Sequence, residues 1–193
     1  MKPQLVLDVA GVLVENLSPG YWQALGRLSG DAPEELRAAF KRELRAGLWS
    51  GAVPEAEFWH WLQARCPGVD TATARRLLRA QLQPLPALAR LHAWSRLADV
   101  HLLSNHRAEW LAEPLRQVAP LLASATISSA AGCRKPEPAI YRLAAAGLRP
   151  GPVVYVDDQQ RNLAPAATLG WTTVLAESDG AWIGRVDRLL AEG

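Results

Sequence analysis

Four places along this chain carry side chains whose type and position could do chemistry. Asp8 follows the apolar run Leu5-Val6-Leu7 and is followed in turn by Ala10-Gly11. Ser104-Asn105 follows Val100-His101-Leu102-Leu103, Lys135 lies in Cys133-Arg134-Lys135-Pro136-Glu137-Pro138, and Asp157-Asp158 ends Val153-Val154-Tyr155-Val156, with Asn162 four residues further on. A carboxylate such as Asp8 can act as a nucleophile, and the nearby glycine lets the backbone turn or approach a ligand closely. The Ser104 hydroxyl can donate one hydrogen bond to an anionic oxygen, while the Asn105 amide can orient a neighbour. Lys135 supplies a compact ammonium able to hold a carboxylate and a phosphoryl oxygen at once. Two adjacent acids at the end of an apolar strand repel each other unless a cation or donors compensate, and hard oxygen ligands of this kind suit Mg²⁺. Asn162 is placed to brace a metal-bound water or the acid itself.

Each of these has a plainer reading alone. Asp8 could cap a turn, Ser104-Asn105 could cap a helix, and Lys135 could be surface charge. The combination is more specific. A carboxylate nucleophile, an ammonium and a cation site on one crevice are the parts that phosphoryl transfer requires, since its transition state needs an in-line nucleophile and positive charge around the equatorial oxygens. Attack by Asp8 would give an aspartyl-phosphate that water later hydrolyses.

Something must bring these residues together. Five apolar, partly β-branched runs read as strands of a largely parallel sheet: Gln4–Ala10, Val100–Ser104, Leu121–Ile127, Val153–Val156 and Thr172–Leu175. Helix-patterned segments alternate with the later strands, at Ala87–Leu97, Arg107–Val118, Glu137–Ala146, Asn162–Leu169 and Ala181–Ala191, which is the mark of βαβ units. Ligands bind such sheets beyond the carboxyl ends of the strands, where every residue named above falls. The stretch from about Leu17 to Leu85 breaks the alternation. It holds four amphipathic helical candidates, Tyr21–Leu28, Pro33–Leu44, Pro54–Ala64 and Thr71–Leu82, and no convincing strand. The expected organisation is therefore an α/β core of residues 1–15 and 86–193 with a helical subdomain, 16–85, inserted after the first strand. Trp22, Trp49, Trp59 and Trp61 all lie in the insertion, and a core role is expected for most, with one of them reaching the pocket.

The 193 residues are enough for one substantial core. Cys66 and Cys133 show neither a disulfide framework nor a zinc spacing, which fits a reducing, cytoplasmic setting. Leu5-Val6-Leu7 reads as a buried strand instead of a signal peptide, and no segment approaches the roughly 20 apolar residues of a membrane span. The 21 basic and 19 acidic residues are interspersed. Their densest basic group, Arg37, Lys41, Arg42 and Arg45, shares its helix with Glu34, Glu35 and Glu43, and so reads as a mixed solvated face before it reads as a steering patch for a small anion. A nucleic-acid or membrane partner is not expected; a small phosphorylated metabolite is. Monomer and homodimer are equally compatible with the sequence.

These residues, taken in order, resemble the four motifs of the haloacid dehalogenase-like (HAD) hydrolase superfamily over essentially the whole chain. Leu5-Val6-Leu7-Asp8-Val9-Ala10-Gly11-Val12-Leu13 looks like the first motif, Leu102-Leu103-Ser104-Asn105 the second, Arg134-Lys135-Pro136 with Ile140-Tyr141 the third, and Val156-Asp157-Asp158 with Asn162 and Ala166-Ala167-x-Leu169-Gly170 the fourth. The resemblance implies a Rossmann-like core with sheet order 5-4-1-2-3 and a small four-helix cap over the pocket. It implies a Mg²⁺-dependent phosphatase in which Asp8, Ser104 and Lys135 are catalytic and Ala10, Gly11 and Asn105 border the substrate. The metal would take Asp8, the backbone carbonyl of Ala10, and Asp158, with Asp157 assisting and Asn162 bracing.

One departure stands out. The family's phosphatases carry an aspartate two residues past the nucleophile, which protonates the leaving group and later activates water; here the position is Ala10. Such acid–base help is worth roughly 10²–10⁴-fold. The resemblance then leaves open a slow phosphatase, one using substrates with good leaving groups, or one borrowing an acid from Glu15, Glu55, Glu57 or His60. It leaves open as well a fold retained for binding or regulation, a metal-free 2-haloacid dehalogenase, and a phosphonate C–P hydrolase, whose first motif also has Ala10-Gly11 and which would need Lys41 as Schiff-base lysine.

Overall fold

The computed structural model describes residues 1–192. Five strands, β1 (Gln4–Leu7), β2 (Asp99–Ser104), β3 (Leu122–Ile127), β4 (Val153–Asp157) and β5 (Thr172–Leu175), form one parallel sheet in the order β3-β2-β1-β4-β5. That is the expected 5-4-1-2-3 order. β1 lies at the centre, with Leu5 opposite Val100 on one side and Val154 on the other. Every side chain of β1 is buried, as a strand covered on both faces requires. Alternation sends Leu5 and Leu7 into a core with Leu91 and Trp94, and Val6 into a second core with Tyr141, Tyr155 and Leu163 on the opposite face. β3, at an edge, is only half covered and alternates exposed Ala123 and Ala125 with better-buried neighbours.

Helices α1 (Gly20–Ser29), α2 (Pro33–Glu43), α3 (Arg45–Ser50), α4 (Glu55–Arg65) and α5 (Thr71–Gln81) all fall between β1 and α6 (Pro86–Leu97). Where four were expected there are five, because the backbone leaves helical geometry at Leu44 (φ −123°, ψ −32°) and restarts as the short α3. Asp70 caps α5 by accepting from the Thr73 N–H at 2.7 Å. An aromatic cluster of Tyr21, Trp22, Phe40 and Phe58 fills the centre of this layer, with ring centroids 5.0 Å apart for Trp22 and Phe40. The two chain segments that join the layer to the sheet run side by side: Val14 bridges Pro84, the Glu15 N–H donates to Gln83 O, and the Leu85 N–H to Leu13 O. A second attachment is the buried Arg107, whose guanidinium donates to Leu48 O (3.4 Å) and Val53 O (2.9 Å) and is held by Glu109.

The remaining helices are α7 (Ala108–Leu111), α8 (Ser128–Ala131), α9 (Pro138–Ala146), α10 (Gln160–Thr168) and α11 (Ala181–Ala191). The long helix expected over Arg107–Val118 is reduced to the single turn of α7. Pro114 explains this, since it lacks an N–H and its ring would clash with the carbonyl of Trp110. The first strand stops at Leu7 instead of Ala10 because residues 9–14 turn, with Leu13 and Val14 N–H groups both donating to Val9 O. No helix among the described residues is long and apolar enough to cross a membrane.

Candidate active site

Asp8 leaves β1 at the carboxyl edge of the sheet, its own N–H still bonded to Val156 O of β4. The side chain is buried; Oδ1 accepts from the Val9 N–H at 2.7 Å, and Oδ2 lies 2.9 Å from Lys135 Nζ. Lys135 is itself buried and reaches across to Asp157 Oδ2 at 2.5 Å, so one ammonium bridges carboxylates from two adjacent strands. Burial pushes the Asp8 carboxyl up to about 7; Lys135 opposes this, and Asp157 and Asp158 add to it. Burial alone would lower the Lys135 ammonium, but Asp8 and Asp157 outweigh it and hold it above its usual value.

Asp157 and Asp158 have different surroundings although adjacent. Asp157 is fully buried and accepts four donors: Lys135 Nζ and the Tyr155 hydroxyl on Oδ2, the Gln159 N–H (2.8 Å) and Asn162 Nδ2 (2.9 Å) on Oδ1. Asp158 is half-buried, receives one bond from Asn16 Nδ2 at 3.1 Å, and leaves Oδ1 buried with no partner among the described residues. Its carboxyl is raised chiefly by burial, with the Asn16 bond opposing and Asp157 adding. Each of Asp8, Asp157 and Asp158 offers an oxygen within 4.8 Å of the others. A buried carboxylate oxygen without a donor is costly unless a cation meets it. The set therefore fits a hard divalent cation such as Mg²⁺, with Asp8 and Asp158 the residues that have oxygens to give and Asp157 already saturated. Gly11 makes room for this. Its φ is +84°, and a Cβ there would stand 2.3 Å from Asp158 Oδ2.

Ser104 ends β2, buried, with its Oγ unpartnered among the described residues. Asn105 accepts from the Lys135 N–H at 2.7 Å and donates Nδ2 to the Lys135 carbonyl at 2.9 Å, which fixes the backbone carrying the ammonium. Asn162 braces Asp157 and is itself held through its carbonyl by the Tyr141 hydroxyl. The sequence-expected residues thus converge. Asp8, Ala10, Asn105, Lys135 and Asn162 line one cavity of about 180 Å³.

The outer wall of that cavity was not foreseen. Arg37 and Lys41 of α2 and Arg45 at the start of α3 line it, joined by Arg161 of α10. The mixed face expected for this helix is solvated at Glu34, Glu35, Lys41, Arg42 and Glu43, but Arg37, Lys41 and Arg45 also border the cavity, while Glu43 pairs with Arg42 and Arg65. The spacing of 37, 41 and 45 by four was the available signal. Trp49 lines the cavity and packs on His106 at 5.4 Å, whereas Trp22 and Trp59 are core. His106 is buried and held well below its usual range, to about 4, by burial, so it stands neutral at the wall. None of Glu15, Glu55, Glu57 and His60 lines the cavity. Glu55 instead accepts from the indoles of Trp59 and Trp110, and Glu57 and His60 face solvent together.

No family model matches the chain, and no curated protein does. Solved structures do. A HAD family enzyme from Bacteroides thetaiotaomicron superposes with a TM-score of 0.77 at 21% identity, over 90% of this chain and 93% of that one. A predicted HAD-like family hydrolase from Porphyromonas gingivalis gives 0.78 at 20% identity over 98% of both chains. The chain has the HAD-like fold. An L-2-haloacid dehalogenase from Xanthobacter autotrophicus also shares it, at TM-score 0.62 and 17% identity, over 91% of this chain and 77% of that one. The Bacteroides enzyme has been solved in complex with magnesium and inorganic phosphate. Within the HAD-like fold the four motif-like segments quoted above occupy the carboxyl edge of β1, β2 and β4 and the loop before α9.

Proposed function

We propose that this chain is a Mg²⁺-dependent phosphatase acting on a small phosphorylated metabolite. The observation that supports it best is the single buried ammonium of Lys135 between Asp8 and Asp157, with Asp8 and Lys135 lining one cavity and an Asp158 oxygen without a donor close behind. Asp8 would attack phosphorus, the alcohol or acyl oxygen would leave with the bond's electron pair, and water would then release phosphate from the aspartyl ester. Lys135 holds Asp8 in position and faces the charge that builds on the phosphoryl oxygens, and the free Ser104 hydroxyl is available to donate to one of them. Asp8 and Asp158 would hold the cation, which when bound offsets the repulsion among the carboxylates and the substrate's anionic oxygens.

With Ala10 at the usual acid position, no carboxylic acid other than Asp8 lines the cavity to protonate a leaving alkoxide. Substrates whose leaving group departs unprotonated, such as acyl or anomeric phosphates, suit it best. The test is phosphate release from a panel of both ester classes with Mg²⁺ and with EDTA, for the wild type and Asp8→Asn. Release that needs Mg²⁺ and disappears in the variant supports the reading, whereas unaltered release by Asp8→Asn rejects it.

A second reading gains from one observation: Lys41 lines the same cavity as Asp8, where a C–P hydrolase would need a Schiff-base lysine. Borohydride trapping with phosphonoacetaldehyde decides it, and no adduct on Lys41 discards it. The three converging carboxylates weigh against a metal-free dehalogenase.

A further inference from the structure

The cavity is polarised. Asp8 and Lys135 line its floor, with Asp157 and Asp158 directly behind them, so three carboxylates stand against one ammonium, a deficit of two charges that one divalent cation balances. Its wall carries Arg37, Lys41, Arg45 and Arg161. None of these four makes an ion pair among the described residues: Glu43 pairs with Arg65, Glu55 takes two indoles, and Glu34 and Glu35 of α2 are exposed and do not line the cavity. Arg161 has only the neutral Gln159 as hydrogen-bond partner, and Arg37 Nε is buried without one. Burial and the neighbouring Arg161, Arg134 and Arg37 all act against the charge on Arg45, as expected for guanidinium groups gathered without a counter-anion.

Like charges so gathered are destabilising unless an anion joins them. With the floor neutral once its cation is bound, a phosphate monoester brings about 1.5 to 2 negative charges, which offset no more than about half of the four cations of the wall. Phe40, Leu17 and Trp49 line the stretch between. We propose that the substrate carries a second anionic group, a carboxylate or a second phosphate, joined to the reacting phosphate by a short spacer, and that Arg37, Lys41 and Arg45 bind it. This rests on the phosphatase reading for the end that reacts.

Three non-hydrolysable probes of equal chain length test it by calorimetry on the Mg²⁺-loaded protein: an alkylphosphonate, the same phosphonate ending in a carboxylate, and the bisphosphonate. At least one two-headed probe should bind about tenfold or more tightly than the alkylphosphonate, the advantage shrinking as salt rises. Which of the two gains identifies the second group. In Arg37→Gln/Arg45→Gln, and separately in Lys41→Gln should the double variant fold poorly by its heat-unfolding midpoint, the ratio of affinities should fall toward one. Alkylphosphonate binding with no two-headed advantage overturns the second anion and leaves the phosphatase site standing. Binding of none of the probes overturns both, and an advantage that survives in the variants overturns the assigned residues.

Discussion

Asn105 grips Lys135 by its main chain from both sides, its Oδ1 taking the Lys135 N–H at 2.7 Å and its Nδ2 meeting the Lys135 carbonyl at 2.9 Å. The ammonium thus owes its place between Asp8 and Asp157 to the Asn105 amide. Asn105→Ala should leave two backbone groups without partners, at about 1–3 kcal/mol for each that stays buried and unsatisfied. Urea unfolding should register the loss, and phosphate release should drop further than the stability change alone accounts for. Wild-type stability and turnover in that variant would dismiss the grip.

Gly11→Ala should strike the metal site without replacing a carboxylate. At φ +84° an alanine costs about 1–2 kcal/mol, and its Cβ would collide with Asp158 Oδ2. Mg²⁺ affinity by calorimetry should weaken by roughly 10–100-fold, as when supporting groups around a metal are disturbed. Equal affinity would show that Asp158 is not held where the cation binds.

Asp8 makes both stability and metal binding depend on pH. In the metal-free protein its folded value, about 7, lies above the ordinary 3.8 of the unfolded chain. Between those values the unfolded chain binds fewer protons, so the contribution of Asp8 to stability falls as pH rises through about 4 to 7. Cation binding needs the carboxylate, so Mg²⁺ affinity should weaken by up to about tenfold per unit as pH drops below about 7, with a proton released on binding. Calorimetry in buffers of different ionisation enthalpy counts that proton; affinity flat from pH 5 to 8, on the order of the range where carboxylates and imidazoles titrate, would refute the assignment.

Ala10→Asp restores an acid beside the nucleophile in a position that lines the cavity. Hydrolysis of unactivated alkyl phosphates should rise by roughly 10²–10⁴-fold, while esters with good leaving groups should gain much less. A uniform gain over both classes would point to altered binding instead of acid catalysis.

The strands were legible because short apolar runs before Asp8, Ser104 and Asp157 have a strand's length and β-branching, and strand ends are where polar side chains of a parallel sheet collect. The strand order follows only from the resemblance to the HAD-like superfamily. The part of the floor made by Tyr155 was also within reach, since residues two apart on a strand share a face with Asp157. The basic wall was not. Arg37, Lys41 and Arg45 could be seen to share a helix, but which side of that helix meets the sheet is decided by Phe40 and the aromatic packing beneath it, and by the break at Leu44. Arg107–Val118 carries apolar residues at helical spacing, but Pro114 stops the helix after the single turn Ala108–Leu111.

Among the attachments that join the five-helix layer to the sheet are the paired segments at Val14 and Pro84, the Trp110 indole on Glu55, and the Arg107 guanidinium on the carbonyls of Leu48 and Val53. Arg107 does not line the cavity, yet its guanidinium ties the end of the short helix that begins at Arg45 to the sheet, so the setting of the basic wall over Asp8 depends in part on a side chain remote from both.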